Sequence, residues 1–297
     1  MPTPLNILIT GAEGQLGKSL RKTLPADVKA HFVTKSNLNL ENNDAIDAWF
    51  AANKADVIIN AAAYTKVDQA EKDRAAAFAA NDAAVRNIAA AAGKNQSYLI
   101  HISTDFLFHG GFNRPIDEEQ KINPVGIYAE SKAAGEKALL DAAIPAAIVR
   151  TSWLYSEFNA NFMKTMIRLG REKNEVRVIA DQHGSPTYAT DLARGLWQMV
   201  AHLRAKRPQA GKVELYHFSN WGVTTWYDFT TAILGIAGIR TPVEPILTHE
   251  YPLPTPRPAY SALWPRKFAK EFNFPMRHWR TALVDAVNAY KLSEGVF

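Results

Sequence analysis

The 297-residue sequence predicts an α/β fold in which a doubly wound parallel sheet is followed by a smaller, irregular α/β lobe. Three observations carry that reading. Short β-branched runs alternate with alanine-rich helical stretches through the first half, the pattern of a parallel sheet wrapped by helices. The strand candidates are nearly continuous apolar runs, as strands covered on both faces are. After about residue 150, Trp, Tyr, Asn and Pro become frequent and the alternation weakens.

Strands are expected at Ile7–Thr10, His31–Thr34, Asp56–Asn60, Ser97–Ser103 and Ala146–Arg150. Between the first two, Leu16, Leu20 and Leu24 recur four apart on one helical face. Further helices are expected at Asp44–Asn53 and Asp73–Ala92, and another over about 188–210 that returns to the first unit. The stretch Tyr251–Pro258 carries a proline at every second position, so it cannot be helix and should be an extended, stiff loop.

Composition excludes several function classes. Lys and Arg number 34 against 29 Asp and Glu, a net charge of +5. That excess is too mild for a nucleic-acid coat or a polybasic membrane anchor, and it leaves an acidic small-molecule substrate open. A hydrophobic share of 47% with 21% charged residues is globular and not disordered. The absence of cysteine rules out disulfides, thiolate nucleophiles and cysteine-ligated metal centres, and it fits a reducing compartment. No apolar run approaches the roughly 18 residues of a membrane span. Met1–Thr10 lacks a basic n-region and reads as the start of a first strand, not a signal peptide. A cytoplasmic protein without nucleic-acid or membrane partners is expected.

Gly11, Gly14 and Gly17 follow the first strand and open the first helix, with Gln15 and Leu16 between them. Glycines at this spacing let a pyrophosphate approach the helix N-terminus, where free N–H groups favour anions. The spacing is G-x-x-G-x-x-G and not the common G-x-G-x-x-G, and a ligand-free strand-to-helix turn stays open on this signal alone. The end of the second strand reads Thr34-Lys35, without the acid that holds the ribose hydroxyls of NAD. A hydroxyl and a cation suit the 2′-phosphate of NADP; the other reading of Lys35 is a solvated strand end. Residues 1–150 are thus expected to form an NAD(P)-binding Rossmann-type domain, and residues 151–297 mainly a substrate-binding lobe.

Tyr128 and Lys132 lie four apart in a helical segment and share one face. A phenol titrates near 10, and a neighbouring ammonium should lower that value, giving a usable general acid–base. The strand ending Ser103-Thr104-Asp105 places hydroxyls where doubly wound folds open their crevice. A hydroxyl there can bond a carbonyl oxygen that gains charge as hydride adds. Glycine loop, strand-end hydroxyls and Tyr-x-x-x-Lys, in that order, indicate nicotinamide-dependent chemistry.

On these residues the sequence resembles the extended short-chain dehydrogenase/reductase superfamily and, within it, the dTDP-4-dehydrorhamnose reductase family. The resemblance runs from Gly11 to Arg257–Leu263, through Asn60–Glu71, Ser103–Phe108, Arg150–Tyr155, Asp181–Thr187, Tyr216–His217 and Gly222–Trp226. It implies NADPH-dependent reduction of the 4-keto group of dTDP-4-dehydro-L-rhamnose to dTDP-L-rhamnose, for polysaccharide biosynthesis, with NADH also accepted. Tyr128 would protonate the sugar alkoxide, Lys132 would tune it and bond the nicotinamide ribose, and Thr104 would polarise the keto oxygen. Ala61, Ala62, Ala63 and Tyr64 would line the cofactor, with Asn39 and Leu40 near the adenine. Thr65, Asp105 and Trp153 would face the sugar, a core aromatic being the other reading of Trp153. Arg257, in its proline-flanked loop, is expected to meet the diphosphate or to cap backbone carbonyls. The chain departs from the family pattern at Asn39, His109 and Glu130, away from the chemistry. The resemblance also leaves a magnesium-linked homodimer open, although no carboxylate cluster in the sequence can be assigned to a metal.

Three competing readings share the fold. A 4,6-dehydratase carries Asp-Glu after the threonine, whereas Asp105 here is followed by Phe106. Epimerases lack the whole-chain match, and another sugar-nucleotide reductase stays open. A non-catalytic NADP-binding subunit, like the regulatory β subunit of methionine adenosyltransferase, would not need an intact Thr104, Tyr128 and Lys132.

Overall fold

The computed structural model describes residues 5–205 and 211–295. Strands β1 (Leu5–Thr10), β2 (Val28–Phe32), β3 (Val57–Asn60), β4 (Tyr98–Thr104) and β5 (Ala146–Thr151) form one parallel sheet with a sixth strand, Val213–Phe218. Across the sheet the order is Val213–Phe218, β5, β4, β3, β1, β2. The order reverses at β1, so a crevice opens between the carboxyl ends of β1 and β3, where such sheets bind ligands. Register lines up the polar residues at that edge. Thr10 stands beside Asn60, Asn60 beside His101, and Thr104 beside Thr151.

The sheet is buried on both faces. Ile7, Ile9, Ile59 and Ile100 pack against the helix Gln15–Lys22 and the returning helix. Leu8, Ile58, Leu99 and Ile148 face the opposite way, against Val85 and Ile88. The expected returning helix runs Ala189–Ala205, and residues 206–210 lie outside the described residues. It delivers the chain to the sixth strand, which the sequence reading did not assign.

Two boundaries differ from expectation. The second strand spans Val28–Phe32 rather than His31–Thr34, because Thr34 leaves the ladder and donates its N–H to Asn37 Oδ1. The helix expected at Asp73–Ala92 spans Arg74–Lys94, interrupted by a π-turn at Ala79–Ala83. Such an insertion rotates the following side chains and recurs at functional sites. Here Asn81, fully buried, accepts from Tyr64 N–H and donates to Tyr64 O, at 2.9 and 3.0 Å.

The rest of the second half has its own core of Tyr155, Met163, Ile167, Phe229 and Trp279. Its helices Phe162–Glu172 and Trp226–Ala237 begin at Asn161 and Thr225, whose side chains accept first-turn N–H groups. Residues 251–258 are irregular, as the alternating prolines require. Among the described residues no helix is long and apolar enough to cross a membrane.

Candidate active site

A cavity of about 860 Å³ lies along the carboxyl ends of the strands. Its cofactor side begins with the β1 loop. Gly11 sits at φ +67°, and a Cβ there would come within 2.6 Å of Ala61 O, so only glycine lets the loop close on the strand beside it. Gly14 donates its N–H to Gly11 O at 2.9 Å and starts the helix without a side-chain cap. The first-turn N–H groups are therefore open to an anion. Gly11, Gly14, Leu16, Gly17 and Ala61–Ala63 all line the cavity. So does Gln15, but its side chain is bound to Leu154 O at 3.3 Å and Ser156 Oγ at 2.8 Å, clipping the loop to the second half of the chain.

At the far end stand Thr34, Lys35, Asn39 and Leu40. The sequence reading saw no carboxylate here, and the structure corrects it. Glu41 accepts from Lys35 Nζ at 2.6 Å, a contact brought about by the turn through Asn39. The pair is solvent-facing, with the Lys35 side chain 70% exposed.

Thr104, Asp105, Tyr128 and Lys132 meet on the opposite wall. The helix Ile127–Asp141 presents Tyr128 and Lys132 on one face, both buried. Lys132 Nζ donates to Ile102 O at 2.8 Å and lies 3.4 Å from His101 Nε2. His101 Nδ1 meets Asn60 Nδ2 at 3.1 Å, and Thr10 Oγ1 donates to Asn60 Oδ1 at 2.6 Å. A buried polar chain thus runs from the glycine loop to Lys132 through Asn60 and His101, to which the sequence reading assigns no role. Burial, then the Lys132 charge, hold His101 well below the usual imidazole range, so it is neutral.

Burial pushes Lys132 down to about 8, against the pull of Glu136. The structure reverses the expectation for Tyr128: burial outweighs the hydrogen bond from Thr104 and pushes the phenol up to about 12. A proton donor for reduction has to hold its proton at neutral pH, and Tyr128 does. The helix is anchored four residues beyond Lys132. Arg150 donates to both oxygens of Glu136, at 2.9 and 2.6 Å, in a bidentate pair whose side chains are almost fully buried.

Asp105 is buried beside Thr104, whose hydroxyl donates to Asp105 Oδ1 at 3.3 Å and accepts Phe106 N–H at 3.2 Å. Thr65 and Trp153 complete this wall. Trp153 adopts φ +45°, uncommon for a bulky residue. Its indole stacks on Trp226 with ring centroids 3.4 Å apart and lies against Gly184, where no Cβ would fit. It is partly core and partly cavity wall. Arg257 alone of the expected residues stands outside the cavity lining. Asp68 Oδ2 takes its guanidinium at 2.7 Å and Thr255 O accepts at 3.0 Å. Its charge is already committed, so the structure does not bring it to a diphosphate. Among the described residues no group of three or more His, Asp or Glu is placed to hold a metal.

The family described as RmlD substrate binding domain matches residues 5–292. The dTDP-4-dehydrorhamnose reductase of Aggregatibacter actinomycetemcomitans is 37% identical over 292 residues, 96% of this chain and 98% of that one. The chain belongs to the dTDP-4-dehydrorhamnose reductase family. Solved structures agree. The dTDP-4-dehydrorhamnose reductase of Clostridium acetobutylicum superposes with a TM-score of 0.90 at 34% identity, covering 97% of this chain and 100% of that one. That of Bacillus anthracis, solved in complex with NADP, has a TM-score of 0.89 at 36% identity, covering 96% and 99%. At these scores and coverages the fold is shared over nearly the full length of each chain.

Proposed function

We infer that the protein reduces the 4-keto group of dTDP-4-dehydro-L-rhamnose to give dTDP-L-rhamnose, with NADPH as reductant. The observation that carries this is the convergence of Thr104, Tyr128 and Lys132 on one cavity with an anion-ready glycine loop, in a chain of this family. The residues fit a dinucleotide. The Gly11 cradle and the uncapped helix start suit a pyrophosphate, and Thr34 with Lys35 suits a 2′-phosphate. When bound, the dinucleotide supplies the hydride.

The protein's own groups supply the rest. Thr104 offers its hydroxyl to the keto oxygen as charge builds there. Tyr128 gives that oxygen its phenolic proton, and the Lys132 ammonium, one turn along the same face, stabilises the phenolate left behind. Asp105 and Thr65 accept from sugar hydroxyls, and the Trp153 indole covers the apolar face of the deoxyhexose. A cytoplasmic location belongs to the same proposal, since reductant and activated sugar are solutes of that compartment. Purified protein mixed with NADPH and dTDP-4-dehydro-L-rhamnose should consume both, followed by the loss of NADPH absorbance. No consumption with that sugar, by protein that binds NADPH, would overturn the reading.

A further inference from the structure

The segment 255–261 touches the catalytic wall from behind. Ser261 Oγ donates to Asp105 Oδ2 at 2.6 Å, and both residues are buried. The backbone holds Ser261 in place: its N–H donates to His183 O at 2.8 Å, and His183 N–H returns to Ala259 O at 2.8 Å. Asp105 therefore receives a hydroxyl on each oxygen, Ser261 on Oδ2 and Thr104 on Oδ1, and Ser261 is the donor that remains when Thr104 turns its single proton to a keto oxygen. A buried carboxylate with two such donors has a fixed orientation, and bonds to the ionised form favour it.

We propose that Ser261 is a positioning residue for the reduction, holding the Asp105 carboxylate ionised and aimed at a sugar hydroxyl. The proposal rests on Asp105 being a sugar contact, as read above. The groups facing Asp105 are Thr104 from its own strand end, the Tyr128 phenol from the helix and Ser261 from the C-terminal segment. None of the influences on its carboxyl is a cation. Burial raises Asp105 to about 6, and the Ser261 bond is the largest of the influences that oppose this rise. Without that bond the carboxyl must titrate at higher pH. The ionised form, which accepts the sugar hydroxyl, is then lost sooner as pH falls.

The test is the pH profile of kcat/KM for the keto-sugar nucleotide in wild type, Ser261→Ala and Ser261→Thr. Ser261→Ala should move the acid limb up by about one pH unit, through KM more than kcat, and Ser261→Thr should restore it. An acid limb unmoved in folded Ser261→Ala overturns the proposal. If that variant does not fold, Ser261→Cys, similar in size but a weaker donor, should move the limb in the same direction, and no movement counts against the proposal equally. In an Asp105→Asn background, Ser261→Ala should cost less than about twofold, because the carboxylate it acts through is gone. Full additivity of the two losses would mean a merely structural serine. Asp105→Asn alone with wild-type KM would instead overturn the sugar-contact reading, a failure visible without any Ser261 variant.

Discussion

At the cofactor end of the cavity the contacts come from backbone and small residues, Gly11, Gly14 and Ala61–Ala63, contributed by two adjacent strands and the loops that leave them. At the sugar end, Thr104, Asp105, Tyr128 and Trp153 come from distant segments. A side-chain bond ties them to a segment 156 residues away, from Ser261 to Asp105. The first end depends on close backbone approach, as at Gly11 and Gly17, where a Cβ would strike Ala61 O or Gly11 O. The second depends on individual side chains that must each be satisfied, because buried polar groups left unpaired are costly.

The sharpest way to break that comparison is at Tyr128. Tyr128→Phe should lower kcat by about 10²–10⁴, the scale of general acid loss, while NADPH binding stays within about twofold. Equal losses in both would mean that the two ends are not separable. Arg150→Ala should come next. It strands the buried Glu136 charge on the catalytic helix and should destabilise the fold by about 3–5 kcal/mol in urea unfolding. A cost below about 1 kcal/mol would show that the helix is held by packing alone.

The pH dependence sharpens the contrast further. Lys132, lowered to about 8, is an ammonium below that pH and neutral above it. If the ammonium is the working form, kcat/KM should fall as pH rises through 8, approaching a loss of about tenfold per unit. A profile flat to about pH 9 would remove Lys132 from the proton chemistry. The smallest effects belong to the exposed Lys35–Glu41 pair. Lys35→Asp should shift the kcat/KM ratio toward NADH by about tenfold, since a charge-assisted phosphate bond is lost. Glu41→Gln frees the lysine and should shift the ratio toward NADPH by about threefold. Ratios unchanged in both variants would make the pair a solvated strand end.

Sequence made the cofactor end readable because its signals are local. The turn glycines, the helix that follows and the apolar strand runs all fall within short windows. Tyr128 and Lys132 were readable for the same reason, one helical turn apart. Glu41, His101, Glu136 and Ser261 gave no such signal, since their meaning lies in partners from other elements. Arg257 shows the reverse. A guanidinium among prolines resembles an anion site until Asp68, far away in the chain, is seen to occupy it. The Tyr128 phenol departs from the sequence expectation because burial, which outweighs the Thr104 hydrogen bond and is reinforced by the Asp105 charge, is a property of the packed fold.

The late position of Ser261 in the chain has a consequence for how the molecule comes into being. Asp105 and Ser261 are 156 residues apart, and joining them requires closing a long stretch of polypeptide. The strands β1–β4 precede the helix Ala189–Ala205 that covers one face of their sheet, so that face stays open until the helix has joined it. The hydroxyl that bonds Asp105 lies later still in the chain, and the sugar end is therefore completed after the cofactor end.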